Sequence, residues 1–213
     1  MALTVKTVPQ GPIGANTHIL TDTATQKTAV VDVGDCSEAF LQALCGATVE
    51  TILLTHGHFD HILGVASLKA RFPDAQICIH EADAPCLTDE DKSLCSWECA
   101  GRQTPIAPDR LLHDGDKIRL GESELTVLHT PGHTKGGVCY ADFENRMLFT
   151  GDTLFCLTAG RTDFPGGSDE ELLASLIRLY NLDGDFTVYT GHNRATTLAY
   201  ERTHNRYMRR FGR

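Results

Sequence analysis

The stretch TILLTHGHFDHILG, residues 51–64, restricts the fold more than any other part of the chain. Within six residues it places His56, His58, Asp60 and His61, directly after an apolar run of strand length. Burying polar groups without partners costs about 1–3 kcal/mol each, so this group calls for a shared ligand. The spacing also says which backbone can hold it. In an extended strand the side chains at i and i+2 point the same way, so His56 and His58 reach one point if residues 55–58 stay extended. In a helix the same pair would stand roughly 200° apart. Asp60 and His61 are adjacent, and on the first turn of a helix they are about 100° apart, so both lean toward a second point nearby. A strand end that feeds a helix start can thus serve two neighbouring metal ions.

Further ligands must come from elsewhere, and three other strand ends share one local signature. TVLHTPGHT supplies His133, MLFTGDT supplies Asp152 and FTVYTGH supplies His192, each with a glycine directly before the polar residue. Glycine lets the backbone turn sharply and approach closely. Core packing does not explain three strands ending in G-H, G-D and G-H.

Around these points the chain alternates. Strands are predicted at the N-terminus (MALTVKTVPQGPIG), at 17–22, 28–34 and 75–80, with helices at EAFLQALCGA, capped by Ser37, and at HILGVASLKARF. The second half restarts with the strand segments RLLHDGDKIRL, ELTVLHT, GGVCYADF and RMLFTGD, with ENR (144–146) as a hairpin turn. A helix follows at DEELLASLIRLY, with Ser168 and Glu171 spaced as a capping box, then the strand DFTVYTGH and an arginine-rich tail that starts as a helix. Residues 81–109 are acidic and proline-punctuated, and read as a surface helix and loop that Trp97 folds back onto the body. Two similar halves of mixed strands and helices predict an α/β (α+β) sandwich, sheet against sheet with helices outside, in one domain over 1–213.

The formal charge of −9 over 213 residues offers no broad basic field for phosphates, which argues against a nucleic-acid partner. No apolar run approaches membrane-spanning length, and the N-terminus lacks a signal-peptide core. The eight cysteines are irregularly spaced, and Cys95 and Cys99 have no second close pair, so reduced thiols in a cytoplasmic protein are expected. His18, His80, His113 and His129 read as satisfied core residues and His204 as a surface one.

The motif H-x-H-x-D-H, followed in order by His133, Asp152 and His192, resembles the metallo-β-lactamase-fold hydrolases, and GPIGANTHIL, VDVGD and HTPGHTKGG are similar to that superfamily as well. The resemblance covers nearly the whole chain and implies the αββα sandwich, with two divalent metal ions. Position by position it implies His56, His58 and His133 on one metal, Asp60, His61 and His192 on the other, Asp152 between them, and Asp32 orienting a ligand histidine. Zinc is the expected metal, and iron and manganese accept the same ligands. Two divalent cations against two carboxylates leave a charge of roughly +2, which favours a bound hydroxide by lowering a water pKa to about 7. Asp60 and Asp152 are the candidate catalytic carboxylates beside it.

GRTDFPGGS (160–168) and GHNRATTLAYERTHNRYM (191–208) resemble the compact glyoxalase II-like branch, which implies cleavage of a small-molecule thioester such as S-lactoylglutathione. Two departures stand out: the helical glutathione-binding domain of larger relatives is not expected after residue 213, and Asn193 stands where relatives often carry glycine. Arg161 and Asn193 are candidate substrate contacts, although Arg161 could equally pair with Asp163. Arg209, Arg210 and Arg213 read as solvated. The GRTDF segment also resembles persulfide dioxygenases, which implies an alternative with one iron on His56, His133 and Asp152. Lactone or phosphoester hydrolysis is a lesser alternative, and the sequence sets no oligomeric state.

Overall fold

The computed structural model describes residues 3–212, so Arg213 lies outside the described residues. The first sheet takes β1 (Leu3–Gln10), β2 (Ala15–Asp22), β3 (Lys27–Val31), β4 (Thr48–Leu53), β5 (Gln76–His80) and β6 (Arg110–Leu112) in sequential order. β1, β2 and β3 pair antiparallel, whereas β3 to β6 are parallel. The second sheet runs in the order β14-β13-β10-β9-β8-β7. It takes β7 (Lys117–Leu120), β8 (Ser123–His129), β9 (Val138–Asp142), β10 (Met147–Gly151), β13 (Thr187–Thr190) and β14 (Thr196–Thr197). A small ribbon of β11 (Leu154–Phe155) and β12 (Thr158–Ala159) lies between β10 and β13 in sequence.

Side-chain alternation along single strands builds the layers. In β4 and just beyond it, Ile52 and Leu54 pack against the helices α1 (Glu38–Ala43) and, further on, α3 (Val65–Arg71), through Phe40, Val65 and Leu68. Leu53 points the other way, into the space between the sheets with Leu20, Val31, Val127, Tyr140 and Phe149. On the far side, Leu172, Leu176 and Leu179 of α5 (Asp169–Tyr180) and Leu198 of α6 (Leu198–His204) cover Leu128, Cys139, Leu148 and Val188. The central parallel strands have both faces covered, which is why they read as continuous apolar runs. The architecture is thus the expected αββα sandwich of two mixed sheets. Among the described residues no helix is long and apolar enough to cross a membrane.

Several local expectations change. RLLHDGDKIRL is two strands in two sheets, β6 and β7, so the chain passes from one sheet to the other at His113–Asp116. The predicted helix HILGVASLKARF divides into α2 (Phe59–Ile62) and α3. The loop after β3 enters there: His61 O accepts the Val33 amide at 2.7 Å, and the Gly64 amide is donated to Val33 O at 2.8 Å. A Cβ at Gly64 would stand 2.5 Å from the Asp35 carbonyl, so only glycine permits that approach. Ser37 caps α1 as expected. Ser168 caps α5, but Glu171 bonds Lys135 instead of closing the capping box. Residues 81–109 form a 3-10 turn (Ala84–Leu87) and one helical turn, α4 (Cys95–Glu98). Trp97 does not anchor them: it is 60% exposed, while Leu94 and Cys95 are buried against Phe59. His113 is an exposed residue beside Glu81 rather than a core one, whereas His80 is buried and stacked on His129 at 4.1 Å. The Arg202 guanidinium bonds the Tyr180, Leu182 and Gly184 carbonyls at and just after the end of α5.

Polar ties lock one sheet to the other. The Tyr140 hydroxyl donates to Leu54 O at 2.6 Å, and the Val138 amide to Thr55 O at 2.8 Å. His18 in β2 spans the gap, with Nε2 donating to Thr190 O at 3.2 Å and Nδ1 accepting from Thr7 at 2.9 Å. Burial pushes its pKa down to about 4, against the opposite pull of Asp32 and the Thr190 carbonyl. An unfolded histidine titrates near 6.5, so the unfolded chain takes up the proton first. The contribution of His18 is whole above about pH 6.5 and is lost as pH falls toward 4, by up to about 3 kcal/mol at 1.36 kcal/mol per unit. His18→Gln, which can keep both hydrogen bonds, should flatten the acid limb of stability measured by urea unfolding. An acid limb identical to that of the wild type would refute this account.

Candidate metal centre

The strand ends meet along one edge of the sandwich. β4 runs out into His56 and His58, both buried, with His58 still extended at φ −72° and ψ 147° before α2 begins. Asp60 and His61 follow in the single turn of α2, so the extended-then-helical reading of HGHFDH describes this backbone. From the second sheet, His133 follows β8, Asp152 follows β10 and His192 follows β13. The glycines act by close approach. A Cβ at Gly191 would stand 2.2 Å from Asp152 Oδ1, and Gly132, at φ +132°, packs directly on the Leu172 backbone.

Two groups result. His56, His58 and His133 offer nitrogens that all lie within 4.8 Å of one another, as do the ligand atoms of Asp60, His61 and His192. Asp152 lies between them: Oδ2 is 3.5 Å from His133 Nε2 and 3.6 Å from His192 Nε2, and Oδ1 is 3.4 Å from His61 Nε2. A third combination, His56, His61 and Asp152, also meets the 4.8 Å limit, so His56 faces both groups.

Outer partners fix which nitrogen of each ring faces inward. His133 Nδ1 donates to Arg161 O at 2.7 Å, and His61 Nδ1 donates to Asp32 Oδ2 at 2.8 Å, so each Nε2 turns a lone pair inward when the ring is neutral. Asp32 also accepts from the Thr55 amide at 2.8 Å and the Thr55 hydroxyl at 2.7 Å. Asn16 holds the His192 loop: its side chain donates to Thr190 O and Asn193 O, both at 2.9 Å. Asn193 sits at φ +65°, a conformation asparagine tolerates better than most residues and glycine best.

This donor set fits a divalent cation. His58 Nδ1 faces His133 Nε2 at 2.9 Å and His61 Nε2 faces His192 Nε2 at 3.3 Å. Ligands about 2.0–2.1 Å from one ion stand about 3.4 Å apart in a tetrahedron. His56 Nε2 and Asp152 Oδ1 are buried with no hydrogen-bond partner among the described residues. Burial, then the neighbouring imidazoles, hold His56 well below 6.5, and burial with His133 takes His58 down to about 3, so both stay neutral donors. Burial alone would lower His61 and raise Asp60. The carboxylates of Asp60, Asp152 and Asp32 instead push His61 well above 6.5, and His61 with His192 keeps Asp60 ionised.

The centre opens into a pocket of about 570 Å³. Ile13, Phe59, Leu94, Phe155 and Phe164 give it apolar walls, and Glu98, Arg161 and Asn193 line it where it is exposed. The Arg161 guanidinium bonds both oxygens of Asp163 at 2.6 Å and lies 4.0 Å from the Phe164 ring centre, so the pairing with Asp163 is formed. Sequence reasoning missed Phe164, which packs on His58, and Phe155, which packs on His192. Phe164 belongs to the GRTDF motif, where an apolar side chain gives no local sign of a site.

Micromolar zinc(II) or manganese(II) added to metal-free protein should raise Tm, because a ligand at 100 times its Kd contributes about 2.7 kcal/mol, or about 5–11 °C for this size. EDTA should reverse the shift and His61→Ala should shrink it. A Tm indifferent to every divalent cation would contradict the fit.

Comparison with known proteins agrees with this architecture. Residues 11–192 match the profile of the metallo-beta-lactamase superfamily. The chain is 28% identical over 210 residues to the hydroxyacylglutathione hydrolase GloC of Haemophilus influenzae, covering 97% of this chain and 98% of that one. Among solved structures, the BLEG-1 B3 metallo-beta-lactamase aligns with a TM-score of 0.89 at 33% identity over 96% of this chain and 99% of its own. TTHA1623 in a di-iron-bound form aligns with a TM-score of 0.83 at 35% identity over 95% and 99%. The chain belongs to the metallo-beta-lactamase superfamily.

Proposed function

We propose that the chain is a binuclear metal-dependent hydrolase that cleaves a thioester, with S-lactoylglutathione as the first substrate to assay. The observation that carries the reading is the arrangement of seven side chains as two groups about Asp152, open to a pocket. The likeness to GloC along nearly the whole of both chains supports the thioester reading. His56, His58 and His133 would hold one cation, Asp60, His61 and His192 the other, and Asp152 both. Such a pair supplies a nucleophilic hydroxide at neutral pH and polarises a carbonyl. Asp60 and Asp152 are the carboxylates beside the position such a water would take, with Asp60 Oδ2 3.1 Å from His192 Nε2. Water adds to the thioester carbonyl, the carbon–sulfur bond breaks, and the products are a carboxylic acid and a thiol. The walls of Phe59, Phe155 and Phe164 limit bulk water around the scissile bond.

Protein loaded with zinc, manganese or iron should consume the thioester and carry about two metals per chain. His58→Ala should lower kcat/KM by about 100-fold or more, as expected for removing a ligand. Oxygen uptake with glutathione persulfide, one iron per chain and no thioester loss would overturn the proposal in favour of the dioxygenase. Turnover of a chromogenic β-lactam without thioester loss would keep the hydrolase and discard the thioester.

A further inference from the structure

One buried carboxylate in the 81–109 segment has no place in either histidine group. Asp83 is 3% exposed and follows β5. Its Oδ2 accepts the Gly57 amide at 3.0 Å and the Thr134 hydroxyl at 2.7 Å, and its Oδ1 accepts the Gly136 amide at 2.7 Å. Gly57 lies between His56 and His58. Thr134 follows His133 directly. One side chain therefore joins two loops that leave different sheets, and those loops carry all three imidazoles of one group.

The loops are built for this contact. A Cβ at Gly136 would stand 2.6 Å from the Asp83 carboxyl carbon and its amide nitrogen, and a Cβ at Gly57 would meet Cys86 at 2.5 Å and Asp83 O at 3.1 Å. Glycine admits the close approach and leaves the loop backbone with more freedom than other residues would, so something else must fix it. Three hydrogen bonds converge on this one buried carboxyl group and tie both loops to it. Asp32 does comparable work for the other group, but it touches a ring directly through His61 Nδ1. Asp83 forms no hydrogen bond with a histidine of the group and acts only through its chain neighbours.

We propose that Asp83 is a positioning residue for the His56, His58 and His133 group, setting the separation of its two loops so that three nitrogens converge on one cation. The inference rests on the binuclear reading of the site. Its signature is selective: His56, His58 and His133 each adjoin a residue bonded to Asp83, whereas Asp60 and His61 are held in α2 and His61 by Asp32, and His192 lies in a third loop.

The test is zinc(II) titrated into metal-free, folded protein against a chromophoric chelator, with Tm of the metal-free protein measured in parallel. Asp83→Asn keeps the shape but turns one acceptor into a donor facing a donor. It should weaken one of two binding events by about 10- to 100-fold, the usual effect of losing an outer partner, and leave the other unchanged. Thr134→Val, which removes one hydroxyl, should weaken the same event, and Thr134→Ser should restore it. If Asp83→Asn does not fold, the Thr134 pair carries the test. A lower Tm with both affinities at the wild-type value would make the role merely structural and overturn the inference. Wild-type protein that binds two ions alongside variants that do the same refutes the inference alone. Wild-type protein that binds none overturns the metal reading and this inference with it.

Discussion

The carboxylate of Asp32 joins the end of β3 to the end of β4 and to the first turn of α2, and the geometry of the centre follows from that junction. It accepts the amide and hydroxyl of Thr55, which fixes where β4 stops, and it accepts Nδ1–H of His61, which fixes how α2 is turned. Asp32 itself stands at φ +57°, outside the range most residues choose. Such strain persists only where surrounding contacts determine it, and three short hydrogen bonds do so here. Val33 then enters the break between α2 and α3, so one turn of chain closes the floor of the site.

From that floor the remaining groups follow by sheet geometry. Strand ends at one edge of a sandwich converge, and alternation decides which residues face inward. The walls of the pocket come from short irregular pieces: the β11–β12 ribbon, the segment around α4 and the 160–168 loop. Regular strands therefore hold the polar floor, and loops supply the apolar surroundings. This division places a rigidly held cluster of polar side chains beneath a surface built from loops.

Much of this was legible in the sequence because local spacing carried it. HGHFDH encoded its own backbone change, and the alternating apolar runs implied sheet on sheet. What escaped was non-local. Nothing in RLLHDGDKIRL announces that β6 and β7 belong to different sheets, since both pieces are short and leucine-containing and only four residues part them. The break at Gly64 depends on Val33, thirty-one residues earlier. Trp97 promised burial by its size, but Leu94 and Cys95 fill the space next to Phe59. Arg161 left two readings open, and only the coordinates place Asp163 against its guanidinium. Asp83 sits in a segment without periodicity, and its three partners lie 26 to 53 residues away.

The passage between sheets at His113–Asp116 divides the ligand set as well as the fold. Among the described residues, every group of three that could hold an ion draws from both sides of that crossing: His56 and His58 with His133, Asp60 and His61 with His192, and His56 and His61 with Asp152. Neither half owns a complete site, so ion uptake can only follow docking of the two sheets. Once bound, an ion would act as a rivet across the seam, because separating the halves means breaking coordination bonds as well as parting apolar surface. Its effect would then fall on the rate at which the assembled sandwich opens as well as on its equilibrium stability, and chelation would remove both.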